Sequence, residues 1–229
     1  MNQLLSIGIL PVVLTLFAYQ LGLLCQKKLK SPLCNPLLVA VILVILFLSV
    51  TGMDRKSYQD GVKQLSWLMT PATISLAVPM YEQFQALRKN LKAIAAGVAA
   101  GTVGCLVLIL GLALLFGYER SLTVSLLPKG ITTAIGMTLA ELYGGTPSIA
   151  TLSIVITGIL GNMFGTCFCK WFGITQPIAQ GVAFGTGSHV IGTAKANELG
   201  PLTGAVSSLS LVVSGLLTAI LFPVLTGFL

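Results

Sequence analysis

Two basic residues lie inside apolar, glycine-rich stretches where a charge needs a reason. Lys129 falls in Pro128-Lys129-Gly130-Ile131-Thr132-Thr133, and Lys195 closes the run from Gly185 that also holds Ser188, His189, Gly192 and Thr193. At a bilayer centre such a charge costs about 2.5 to 3.5 kcal/mol even on the lenient insertion scale, so it marks a functional site by default. Glycine and proline at this density break helices, and half-helix N-termini offer free N–H groups and a positive dipole end to anions. Lys129 and Lys195 add fixed positive charge, while Thr132, Thr133, Ser188 and Thr193 add hydroxyl donors. The combination suits a small carboxylate with a second oxygen on the neighbouring carbon. Lys129 would neutralise the carboxylate and the hydroxyls would orient it. His189 would bind the second oxygen or exchange a proton.

Each residue also has a plainer use. Lys195 can pair with Glu198, three residues on and therefore a helical neighbour. Lys129 can lie at the interface near Glu119 and Arg120, and His189 can satisfy a backbone carbonyl. Glu82 reads as an interface residue with a coupling role as the alternative. Glu141 and Glu198 read as loop acids, and the hydroxyls of the last apolar stretch as helix-packing groups. Enzyme chemistry has little to stand on. Ser188 and His189 are adjacent, about 100° apart on a helix, and cannot form a nucleophile and base pair. Gly181 to Ser188 lacks the lysine of a phosphate loop. Cys167 and Cys169 have no second ligand pair, so neither a metal nor any other cofactor is expected.

The elements that carry these residues belong to a membrane. Of 229 residues, 55% are hydrophobic and 8% charged, against about 25% charged in a soluble domain. That is too little charge to cover a water-facing surface. The net charge of +7 comes from clusters between apolar runs: Lys27, Lys28 and Lys30, then Arg55, Lys56 and Lys63, then Arg88, Lys89 and Lys92. Such a distribution fits loops flanking spans rather than a nucleic-acid surface. The first and third clusters favour an outside N-terminus, and the second runs against it. Five scattered cysteines suggest no disulfide framework.

Eight nearly uncharged stretches follow one another: 1–26, 31–53, 64–81, 93–118, 121–140, 142–169, 171–194 and 199–229. The fourth carries Gly97 and Gly101 in a small-xxx-small spacing that lets helices approach closely. The third, fifth and seventh are interrupted by Pro71 and Pro79, by Pro128, Gly130 and Gly136, and by Pro177 and four glycines. Broken helices are tolerated only inside protein or along a water-filled cavity, and in transporters they come in pairs from internal repeats. Sliding the chain by 57 positions gives 8 identities over the 20 residues from Glu141 to Leu160. Repeat units of about 121–169 and 177–228 follow. Each holds a glycine-rich segment and one full span, so re-entrant segments make the repeat inverted. The expectation is a single all-α membrane domain over 1–229, with six crossings and two re-entrant segments, or eight crossings if both segments span.

These residues resemble the LrgB/CidB family of bacterial membrane proteins, close to its YohK branch, with plastidial glycolate/glycerate translocators as relatives. The likeness runs through Asn35 to Ala40, Pro71 to Gln83, Pro128 to Met137 and Gly185 to Lys195. Where the family usually reads Pro-Lys-Ser-Val-Thr-Thr-Pro-Ile-Ala, this chain keeps Pro128, Lys129, Thr132 and Thr133 but has Gly130, Ile131, Ala134 and Gly136. Lys195 stands where arginine is common, which argues against bidentate carboxylate recognition there. The resemblance implies an inner-membrane protein with one of two functions. One is a carrier of glycolate, glycerate or pyruvate. The other is an antiholin-like regulator of murein hydrolase export and lysis that works with a small LrgA/CidA-type partner. Homodimer formation is left open, and the residues themselves favour the carrier.

Overall fold

The computed structural model describes residues 9–29 and 35–229, and every regular element among them is helical. Lys30 and Cys34, with the ends of the first two apolar stretches, lie outside the described residues. Four described helices are long and apolar enough to cross a membrane: Leu10–Leu29, Leu91–Phe116, Pro147–Trp171 and Pro201–Thr226. The chain divides into two compact units, Met1–Ser75 and Leu76–Leu229.

In the first unit, α1 (Leu10–Leu29) and α2 (Pro36–Thr51) pack as an antiparallel pair. Asn35 starts α2, its side chain accepting from Leu37 N at 2.9 Å with Pro36 in the first turn. Gly22 lets the backbone of Pro36 close on the last turns of α1, where a Cβ would stand 2.6 Å from the Pro36 carbonyl. After α2 the chain turns at Gly52, in the left-handed region at φ 65°, into α3 (Arg55–Gly61). That helix returns to the start of α1 through the 2.7 Å hydrogen bond between Thr15 and Tyr58 and the contact of Gly61 with Pro11. At its end Lys63 forms an exposed ion pair with Asp60 at 2.8 Å.

The third apolar stretch, expected as one crossing, forms no helix of spanning length. In the first unit it holds α4 (Lys63–Trp67) and α5 (Met69–Ser75), and in the second α6 (Ala77–Glu82), followed by α7 (Phe84–Lys89). The prolines explain two of the breaks. A proline lacks the N–H for the helical ladder and its ring collides with the carbonyl four residues back. Counting back four from Pro71 gives Trp67, the last residue of α4, and from Pro79 gives Ser75, the last of α5.

The second unit is built on three long helices, α8 (Leu91–Phe116), α11 (Pro147–Trp171) and α13 (Pro201–Thr226). Between α8 and α11 lies a broken segment: α9 (Arg120–Leu126), a 3-10 turn over Leu127–Gly130, and α10 (Thr133–Leu142). Between α11 and α13 lies α12 (Pro177–Leu199), broken at His189. Both segments are re-entrant. The first begins at Arg120, which donates to Thr226 O, and ends at Tyr143, whose ring packs on Phe222 at 5.3 Å, so both its ends lie at the C-terminal end of α13. The second begins beside the opposite end, with Gly181 against the Thr203 carbonyl, and runs directly into Pro201. α13 thus runs between two broken segments whose ends lie at its opposite ends.

Lipid tails are as apolar as leucine, so close packing rather than hydrophobic driving force must join these elements. The glycines supply it. Gly97 receives Val182 and Gly101 receives Thr186, so the small-xxx-small face of α8 takes the first arm of the second hairpin. Leu106, Ile109, Val124, Leu127, Ile131, Leu139 and Phe222 form a buried cluster around the first hairpin.

Candidate functional site

The hairpin tips meet at Gly130 and Thr186. A Cβ at Gly130 would stand 3.1 Å from the Thr186 carbonyl and 3.6 Å from Cys105 Sγ, so glycine is what permits the approach. Beside this contact is a cavity of about 10 Å³, room for one water, with Thr102, Cys105, Thr186, Ser214 and Thr218 among its lining residues. Thr102 Oγ1 donates to Ser214 Oγ across it at 3.0 Å.

The first hairpin breaks where its sequence demands. Pro128 leaves helical geometry at φ −84° and ψ 17°, and Ile131 and Thr132 are extended before α10 begins. Thr132 occupies the N-cap position, yet its side chain accepts no capping hydrogen bond. Among the described residues, neither the Thr132 nor the Thr133 hydroxyl has a partner, and half-buried Lys129 has neither a hydrogen bond nor an ion pair. Its chain neighbour Gly130 lines the central cavity. One cation, two hydroxyls and the first turn of a half-helix therefore belong to one break of the chain, the three side chains without hydrogen-bond partners. That arrangement can hold an anion.

In the second hairpin His189 and Thr193 spend their hydrogen bonds on the protein. His189 is 3% exposed and takes φ 43° and ψ −138°, a positive-φ conformation that residues other than glycine rarely adopt. Its ring is held on α11, where Nε2–H donates to Ile154 O at 2.8 Å, with the bare face of Gly158 giving it room. Asn162 Nδ2 donates to Ile191 O at 2.9 Å, on the other side of the break. Thr193 donates to His189 O at 2.9 Å and shares a 2.8 Å hydrogen bond with Ser207 on α13. Ser188 is buried against Gly161, and Gly192 packs against Ser188 and the Phe184 carbonyl, which seats one arm on the other. Lys195 pairs with Glu198 at 2.6 Å, its plainer use. The sequence-predicted residues thus fall into two groups, and no hydrogen bond joins Lys129, Thr132 and Thr133 to Ser188, His189 and Thr193.

The family model of the LrgB-like family matches residues 15–228. The chain belongs to that family. A holin-like protein CidB of Staphylococcus epidermidis is 35% identical over 225 residues, covering 98% of both chains. An antiholin-like protein LrgB of Bacillus mycoides is 33% identical over 218 residues, covering 95% of both. No solved structure matches.

This LrgB-like chain also carries functional candidates that reasoning from sequence missed. Thr102, Ser214 and Thr218 line the central cavity, although the hydroxyls of the last span read as packing groups. Their signal was weak but present: Ser210, Ser214 and Thr218 recur at helical spacing in an otherwise apolar span, and Thr102 adjoins Gly101. A second cavity, of about 190 Å³, lies between α11 and the second hairpin. Phe168, Phe172 and Phe184 line it with Ser188.

Proposed function

We propose that this multi-pass membrane protein is a carrier of small carboxylates of the glycolate, glycerate or pyruvate kind, resident in the bacterial inner membrane. The observation that carries the reading is unpaired Lys129 beside the unpartnered hydroxyls of Thr132 and Thr133, at the tip of one of two opposed hairpins. Paired broken helices meeting inside a bundle are the architecture by which carriers alternate access around a fixed site. Lys129 neutralises the carboxylate, and Thr132 and Thr133 orient it at the start of α10. Ser188 contributes from the opposing tip. His189, Gly192 and Thr193 act by shaping that tip, and Lys195 acts at its surface end. No enzymatic activity is assigned.

The relatives' names favour a second reading and speak for it more directly than for carboxylates. It is a holin-like or antiholin-like regulator of murein hydrolase export and lysis, acting with a small LrgA/CidA-type membrane partner. Solute selectivity separates the two. Labelled glycolate, glycerate and pyruvate are offered to proteoliposomes holding the chain alone or with that partner, in wild type and Lys129→Ala. Saturable uptake lost in Lys129→Ala supports the carrier. Unselective leakage indifferent to Lys129 removes it, and transport only with the partner makes the chain one subunit of the machine.

A further inference from the structure

The central cavity presents four hydroxyls whose hydrogen-bonding capacities complement one another. Thr186 Oγ1 donates to Val182 O at 2.8 Å, so its lone pairs are left to accept. Thr102 Oγ1 donates to Ser214 Oγ, which leaves Thr102 a lone pair and Ser214 its own O–H. Thr218 is 2% exposed, lines the cavity and has no partner among the described residues. Two acceptors and two donors thus surround a space of about 10 Å³. A hydroxyl or a water has the matching pattern. A metal cation does not, because it needs acceptors only. A carboxylate is too large for the space.

From this we infer that Thr102, Thr186, Ser214 and Thr218 form a subsite for one uncharged oxygen of the ligand, occupied by water when the hairpin tips are closed. The inference rests on the carrier reading and deepens it. The carboxylate lies at Lys129, and the oxygen on the adjacent carbon enters the hydroxyl cluster, displacing the water. His189, which the sequence suggested for that oxygen, is bound to Ile154 O and has another task. The hydroxyl cluster therefore discriminates between acids with an oxygen on carbon 2 and those without.

The test is uptake of glycolate against acetate, and of lactate against propionate, into proteoliposomes with wild type, Thr218→Val, Ser214→Ala and Thr218→Ser. Wild type is expected to prefer the oxygenated acid of each pair by about tenfold or more, because only that acid places an oxygen among the hydroxyls of the cluster. Thr218→Val and Ser214→Ala should each reduce that preference by about three- to tenfold, the worth of one neutral hydrogen bond. Thr218→Ser, which keeps the hydroxyl, should retain it and guards against a folding defect. Wild-type uptake without preference, or a preference that both Thr218→Val and Ser214→Ala preserve, overturns the subsite and leaves the carrier standing. Absence of saturable uptake of all four acids by wild type overturns the carrier reading, and the subsite with it.

Discussion

Hairpin one leaves Lys129, Thr132 and Thr133 without side-chain partners, whereas hairpin two is fastened by His189 to Ile154 O, by Asn162 to Ile191 O and by Thr193 to Ser207. The tip of the first leaves these three side chains without hydrogen-bond partners, and the second is stitched to its neighbours. Unspent hydrogen-bonding capacity in a membrane interior is costly, so under the carrier proposal hairpin one is the ligand-facing half and hairpin two its frame. Gly158 and Gly215, 57 residues apart, show the same asymmetry. The first would place a Cβ 2.6 Å from the His189 ring, and the second only 3.5 Å from the end of Ile135.

The largest difference should therefore appear at that pair. Gly158→Ala is expected to displace His189 and destabilise the protein by about 1–3 kcal/mol, the usual cost of overpacking. Gly215→Ala should be neutral or stabilising by up to about 1 kcal/mol, because alanine is the better helix former. Thermal unfolding in detergent checks both, and equal losses would break the asymmetry.

Next in size are the two charged or titratable residues of the tips. Lys129→Ala is expected to abolish carboxylate uptake while leaving the melting temperature unchanged or raised, since it removes an unpaired cation. His189→Gly relieves the positive φ but deletes the bond to Ile154 O, and should cost about 0.5–1.5 kcal/mol of stability. Parallel uptake and melting curves on the two variants would show whether the ligand-facing and framing roles separate.

Hydroxyl deletions sharpen the same contrast on a smaller scale. Thr132→Val and Thr133→Val should each raise the KM for the carboxylate about three- to tenfold with stability intact. Thr193→Val should lower stability by about 1 kcal/mol, because Ser207 and the His189 carbonyl lose a buried partner. Kinetics and melting of all three distinguish the outcomes.

The smallest effects belong to ion pairs outside both tips. Lys195→Ala removes the pair with Glu198 and should change stability by no more than about 1 kcal/mol. Asp60→Asn should leave uptake and melting temperature unchanged at neutral pH. The hydrogen bond and charge of Lys63 hold the Asp60 carboxyl below its usual range. Any contribution from it is therefore present above the ordinary aspartate pKa and fades as pH falls through the lower folded value. A melting series across the acid range tests this, and a Lys195 effect as large as that of His189 would return Lys195 to the site.

Composition and the spacing of glycine and proline were enough to determine that this is an all-α membrane protein with two broken segments. Those properties follow from local chemistry: apolar residues must face lipid, and prolines and glycines interrupt helices wherever they stand. The placement of Lys129, Thr132 and Thr133 at one break was legible for the same reason. The third apolar stretch is divided where its prolines predict, with breaks before Pro71 and Pro79. Which polar groups remain available depended on tertiary structure alone. Whether His189 meets a ligand or the Ile154 carbonyl, and whether Ser214 and Thr218 pack or line a cavity, turns on which glycine lies opposite. Partners brought together from 35 or 112 residues away leave no local signal of their pairing.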